Sequence, residues 1–144
     1  MLSRTAESAV RAALVLAREY GHRAVSAEEI ASILGAPRNY LSKTLNALAR
    51  RGILTSARGP GGGYALAVSP DVLTVADIVE VFADANVAGA RCVLLDAPCD
   101  PAHPCAAHER WTKVTSEARK PLMRTTLGEL RDATGSTVSA GRQR

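Results

Sequence analysis

SAEEIASILGAPRNYLSKTLNALARRGILTSARGPGGGYALAV, residues 26–68, holds two short helical patterns and then two short strand patterns. Ser26 with Glu29 has the spacing of a capping box, in which hydroxyl and carboxylate satisfy orphan backbone donors at a helix start. The spacing predicts a short helix from Ala27 to Leu34 that stops at Gly35. Pro37 suits the first turn of a second helix, and Leu41, Leu45 and Leu48 line one face of it up to Gly52. Two short helices about a Gly-containing turn form a helix-turn-helix. Ile53 to Ser56 and Tyr64 to Val68 then read as strands around the Gly-rich turn from Arg58 to Gly63, a hairpin in the position of a wing. Gly-rich turns also cradle nucleotide phosphates, but no G-x-G-x-x-G or G-K-[ST] pattern stands here and no helix opens after the glycines.

On the N-terminal side, Ala6, Ala9, Val10, Ala13, Leu14 and Ala17 recur at the three-and-four spacing of an amphipathic helix from Arg4 to Tyr20. On the other side, Thr74 with Asp77 caps a helix through Phe82, and the chain from Asn86 to Pro104 loses periodicity and reads as a loop. A long helix follows with Trp111, Val114, Ala118 and Leu122 on one stripe; Pro121 is expected to kink or end it. Thr126 with Glu129 caps a final turn or two. The expected architecture is mainly α: a winged helix-turn-helix with a two-stranded wing over 1–84, a loop over 85–105, a long helix and C-terminal helix over 106–134, and a disordered tail over 135–144. The apolar stripe of the long helix has no partner in a winged-helix fold, which makes it the candidate joint of a homodimer.

The 144 residues suit one domain with a helical extension. With 47% hydrophobic but only 3% aromatic residues, the interior must be filled by Ala, Val, Leu and Ile. No apolar run approaches the roughly 20 residues that cross a bilayer, and no signal-peptide pattern opens the chain, so no membrane partner and a cytoplasmic location are expected. The net charge of +4 is uneven: nine Lys/Arg against four Asp/Glu over 1–70, and nine against ten over 71–144. From Ala36 to Gly63 the chain has Arg38, Lys43, Arg50, Arg51 and Arg58 and no acid, the footprint of a surface facing phosphates. Arg38, Asn39, Ser42 and Lys43 fall on the exposed face of the second helix of the motif, the one that would enter a major groove of duplex DNA.

All three cysteines, Cys92, Cys99 and Cys105, lie within fourteen residues. An odd count in a cytoplasmic setting argues for metal or redox chemistry over a disulfide framework. Structural zinc knuckles use tight C-x(2–4)-C spacing, whereas the spacers here are six and five residues, which favours an iron-sulfur cluster over a single ion. Three thiolates leave one position open, with His108, His103 and Glu7 as candidates. His103 also reads as a plain loop residue before Pro104, and Glu7 as a first-turn carboxylate complementing the helix dipole.

The helix-turn-helix, R-G-P-G-G-G-Y at 58–64, the three cysteines, C-A-A-H-E-R-W at 105–111 and T-L-G-E-L at 126–130, in that order, resemble the IscR/NsrR family of bacterial regulators. The resemblance spans nearly the whole chain and implies a winged-helix homodimer, an iron-sulfur cofactor and transcriptional control of iron-sulfur, nitrosative or redox stress genes. It implies Cys92, Cys99 and Cys105 as cluster thiolates, His108 at the histidine-ligand position of IscR-like proteins, and Glu7 at the acidic-ligand position of NsrR-like proteins. Glu7 implies a 4Fe-4S cluster, the preferred assignment, and His108 a 2Fe-2S cluster, the alternative. The same resemblance places Asn39, Ser42, Arg58 and Pro60 at DNA-reading positions. Asn39 stands where a serine is usual and Ser42 where a glutamate is usual, so no operator sequence carries over. The spacer between Cys92 and Cys99 is one residue longer than the IscR pattern, which leaves the cluster type open.

The function expected is an iron-sulfur-dependent DNA-binding regulator, repressor or activator. A metal-free thiol sensor is the alternative in the same class. An iron-sulfur scaffold or electron carrier would leave the basic helix-turn-helix and wing without a purpose. No paired acid and base, nucleophile or substrate-pocket pattern accompanies the cysteines, so an enzyme is not expected.

Overall fold

The computed structural model describes residues 2–82 and 102–134, in the order α1 (Arg4–Arg18), α2 (Ala27–Leu34), α3 (Arg38–Arg50), β1 (Leu54–Ala57), β2 (Gly63–Leu66), α4 (Val75–Glu80), α5 (His108–Arg124), α6 (Leu127–Thr134). Cys92, Cys99, most of the expected loop and the tail over 135–144 lie outside the described residues. The mainly helical architecture with one two-stranded antiparallel sheet is the winged helix-turn-helix expected from the sequence.

Ser3 caps α1 by accepting from the Ala6 N–H at 3.1 Å, and the face with Ala6, Ala9, Ala12, Ala13, Leu16 and Ala17 is buried. At α2 the sequence expectation is met by half. Ser26 Oγ accepts from the Glu29 N–H at 3.1 Å, but the Glu29 carboxylate does not return to the Ser26 backbone. It accepts instead two hydrogen bonds from the Arg23 guanidinium, at 2.9 and 2.7 Å. A charge-assisted bidentate pair outcompetes one neutral backbone donor. The bonds from Arg23 hold the Glu29 carboxyl below its usual range. The pair is therefore fully formed above the ordinary carboxylate pKa and is lost as pH falls through the lowered value. Both side chains are exposed, so its contribution to stability is small.

Gly35 ends α2 in the left-handed conformation, φ 62 and ψ 33, where a side chain would be strained. Pro37 is the N-cap of α3 in extended backbone, one position before the first-turn place expected of it. Leu41, Leu45 and Leu48 are fully buried beneath α3, as their spacing requires. The wing pairs Leu54 with Leu66 and Ala57 with Gly63. Its return strand is clamped to the α1–α2 connection: the Val25 N–H donates to the Tyr64 carbonyl at 2.9 Å and the Tyr64 N–H to the Val25 carbonyl at 2.8 Å. Gly63 makes this approach possible, since at φ 142 a Cβ there would stand 2.5 Å from the Val25 carbonyl oxygen.

Thr74 and Asp77 form a complete capping box on α4. α5, roughly 25 Å long at 1.5 Å per residue, packs on α4. The expectation that Pro121 kinks or ends it is corrected as to the end: α5 continues to Arg124. Pro121 brings no N–H to the Glu117 carbonyl, one backbone bond of the helix, and the Thr125 hydroxyl donates to the Pro121 carbonyl at 3.0 Å, one of the carbonyls that a helix end leaves open. Thr126 and Glu129 cap α6 reciprocally, at 2.7 and 3.2 Å. α6 then returns to α1, with Leu127 fully buried in the common core. Three backbone bonds fix this joint: Val75 N–H to the Thr125 carbonyl, Leu127 N–H to Leu73 and Gly128 N–H to Pro70, at 3.0, 2.9 and 2.8 Å. Among the described residues no helix is long and apolar enough to cross a membrane.

Gly63→Ala is expected to cost about 1 to 3 kcal/mol by forcing the wing off Val25. Thermal or denaturant unfolding checks it, and an unchanged midpoint contradicts the clamp.

Candidate functional site

α3 and the wing each present exposed polar groups. Arg38, Asn39 and Lys43 on α3 are exposed, Ser42 is half-buried, and Arg58 and Pro60 are exposed in the turn between β1 and β2. Arg50 and Arg51 are exposed at the far end of α3. None of the five cations from Ala36 to Gly63 is ion-paired among the described residues. Unneutralised guanidinium and ammonium groups on a helix-plus-hairpin surface suit phosphate oxygens.

Two hydrogen bonds that the sequence did not disclose hold this surface in place. The Tyr64 hydroxyl donates to Asn46 Oδ1 at 2.7 Å and so joins wing to α3. The Tyr40 hydroxyl donates to Thr5 Oγ1 at 3.0 Å and so joins the start of α3 to the start of α1. Both pairs are far apart in the chain, so no local pattern announces them. Asn46 could have been singled out from spacing, because it stands seven residues after Asn39 and three after Lys43 on the same helical face.

Of the candidate metal ligands, Cys105 is half-buried just before α5, and His108, also half-buried, is the first residue of that helix. The His108 N–H donates to the Cys105 carbonyl at 2.9 Å, so the two residues share one turn. Glu7 lies on a different element, exposed in the first turn of α1, with no side-chain hydrogen bond or ion pair among the described residues. His103 is exposed. Among the described residues no three metal-ligating side chains converge.

Residues 2–133 match the Rrf2 family, described as iron-dependent transcriptional regulators. The chain belongs to the Rrf2 family. A helix-turn-helix-type transcriptional regulator of Aquifex aeolicus is 36% identical over 110 residues, 75% of this chain and 76% of that relative. Among solved structures, T. potens IscR is similar with a TM-score of 0.73 at 27% identity, covering 98% of this chain and 93% of that one. CymR, the global cysteine regulator of B. subtilis, is similar with a TM-score of 0.72 at 28% identity, covering 93% of this chain and 98% of that one. This Rrf2-family chain is thus a transcriptional regulator, not an enzyme, and its winged helix is a DNA-binding fold.

Proposed function

We propose that this Rrf2 chain is an iron-sulfur-dependent regulator that reads an operator duplex as a homodimer. The observation that carries the proposal is the confinement of all three cysteines to 92–105, between the DNA-binding fold and the long helix α5. The family's description as iron-dependent supports it.

The donor set fits an iron-sulfur cluster. Cys92, Cys99 and Cys105 supply thiolates, and Glu7 supplies a fourth ligand to a 4Fe-4S cluster, or His108 to a 2Fe-2S cluster. Glu7 is the preferred ligand, because its carboxylate is exposed and uncommitted among the described residues. A carboxylate is also the harder donor and leaves a more labile iron, which suits a sensor. When bound, the cluster supplies a centre reactive toward oxidants and nitric oxide. The chain's own part is to carry a change at the 92–105 segment to the reading surface, through Glu7 on α1 and through α5.

α3 enters the major groove with Arg38, Asn39, Ser42 and Lys43, and the wing brings Arg58 and Pro60 to the flanking groove. Val114 and Leu122 of α5 are 62% and 44% exposed and Ala118 is exposed, so these three positions of the stripe are open among the described residues, as a surface for a second copy requires.

Protein purified without oxygen is expected to show visible charge-transfer absorption with iron and sulfide in equal amounts. Absence of both, with a reversible disulfide among the cysteines, would establish the metal-free thiol sensor instead. Glu7→Ala should alter that spectrum while His108→Ala leaves it nearly intact; the reverse pattern overturns the ligand choice. Arg58→Ala is expected to weaken binding to a selected duplex by about 1 to 3 kcal/mol and to relax sequence preference. Equal loss on random DNA would make Arg58 a phosphate contact only. Val114→Glu is expected to yield monomers that keep the winged-helix fold, and light scattering that still reports a dimer would place the interface elsewhere.

A further inference from the structure

Asn46 lies exposed on α3, one turn beyond Ser42 and Lys43 and on their face. An exposed asparagine ordinarily turns its amide freely. Here the amide is held, because Tyr64 donates its hydroxyl proton to Oδ1 at 2.7 Å. Tyr64 does not owe its own position to Asn46. Both its backbone polar atoms are bonded to Val25, at 2.8 and 2.9 Å, and its half-buried side chain packs on the main core. The fold therefore fixes the phenol, and the phenol fixes which way the carboxamide points.

With Oδ1 occupied, Asn46 offers two Nδ2 protons that have no partner among the described residues. This matters for what it can recognise. Asparagine reads adenine with one donor and one acceptor together, to N7 and N6. The Tyr64 bond takes one of the two Oδ1 lone pairs and fixes the amide, so any reading of adenine must work with the one remaining lone pair, whereas both Nδ2 protons are open. Phosphate oxygens accept without donating, as guanine N7 and O6 also do, and the neighbouring Lys43 and Arg50, which make the surface attractive to phosphates, favour the phosphate here. We propose that Asn46 is a further DNA-contacting residue, a neutral donor to a backbone phosphate where recognition helix and wing meet, and that Tyr64 is its positioning residue. The proposal rests on the DNA-binding reading given above.

The test compares full-length variants on two probes, a duplex enriched by the wild-type chain from a random library and a random-sequence duplex, over a series of salt concentrations. Asn46→Ala should weaken binding to both by a similar factor, roughly fivefold to tenfold, with the salt slope unchanged, because a neutral donor releases no counterion. Asn46→Asp keeps the acceptor that Tyr64 needs, and with it the tie between wing and helix, but replaces the donors with a carboxylate; it should bind more weakly than Asn46→Ala. Tyr64→Phe should weaken binding to both probes, and adding it to Asn46→Ala should cost nothing more. Wild-type affinity in Asn46→Asp would show that the contact only braces the wing and would overturn the proposal. So would a loss confined to the selected duplex, which marks base reading. Additive losses in the double variant would remove Tyr64 from its role. Unfolding midpoints report whether each variant is folded, and a wild-type chain that binds neither probe would defeat the DNA-binding reading itself.

Discussion

The alanine face of α1 is the constraint on which the other elements depend. Ala6, Ala9, Ala12, Ala13 and Ala17 are all buried, and α2, α3, α4, α6 and β2 all pack against this one helix. Five neighbours can crowd a single helix only if its side chains are short, so a core poor in aromatics is a geometric requirement here. Larger residues on this face would force the neighbours outward, with the strain that overpacking brings. The Arg4–Arg18 helix is thus a hub as well as the first element, and it carries Thr5 and Glu7 on its opening turn.

Several contacts converge on the reading surface from this hub. Tyr40 ties the first turn of α3 to Thr5, and Tyr64 ties the wing both to Val25 and to Asn46. The C-terminal chain closes on the same body. Thr125, Leu127 and Gly128 bond to the backbone around α4, and Met123 of α5 packs with Ala6, Val75 and Val79. One end of α5 is therefore fixed to the DNA-binding fold, while Cys105 and His108 stand at the other.

Much of this was legible locally. Caps, glycine stops and leucine spacing placed α2, α3, α4 and the wing, since each signal needs only neighbours within a turn or a hairpin. The misses share the opposite character. Glu29 has the capping-box spacing from Ser26, yet Arg23, six residues back, offers two charge-assisted bonds and takes the carboxylate. Pro121 reads as a kink or a stop, yet α5 runs on to Arg124 past it, at the loss of one backbone N–H. The return of α6 to α1, and the bonds from Tyr40 and Tyr64 to residues 35 and 18 positions away, are set by tertiary packing and leave no periodic trace. For the candidate site, residue type and clustering point to the chemistry, while the choice between Glu7 and His108 depends on how separate elements approach one another.

A sensor of this design requires that cluster status and DNA affinity be coupled, and a coupling is a difference in binding free energy between two states. The most direct measurement is a pair of oxygen-free titrations of one selected duplex, with cluster-loaded protein and with the same preparation after the cluster has been removed. The account predicts affinities that differ by at least about tenfold, equivalent to about 1.4 kcal/mol of coupling. Superimposable curves from protein verified as loaded and as cluster-free would contradict it.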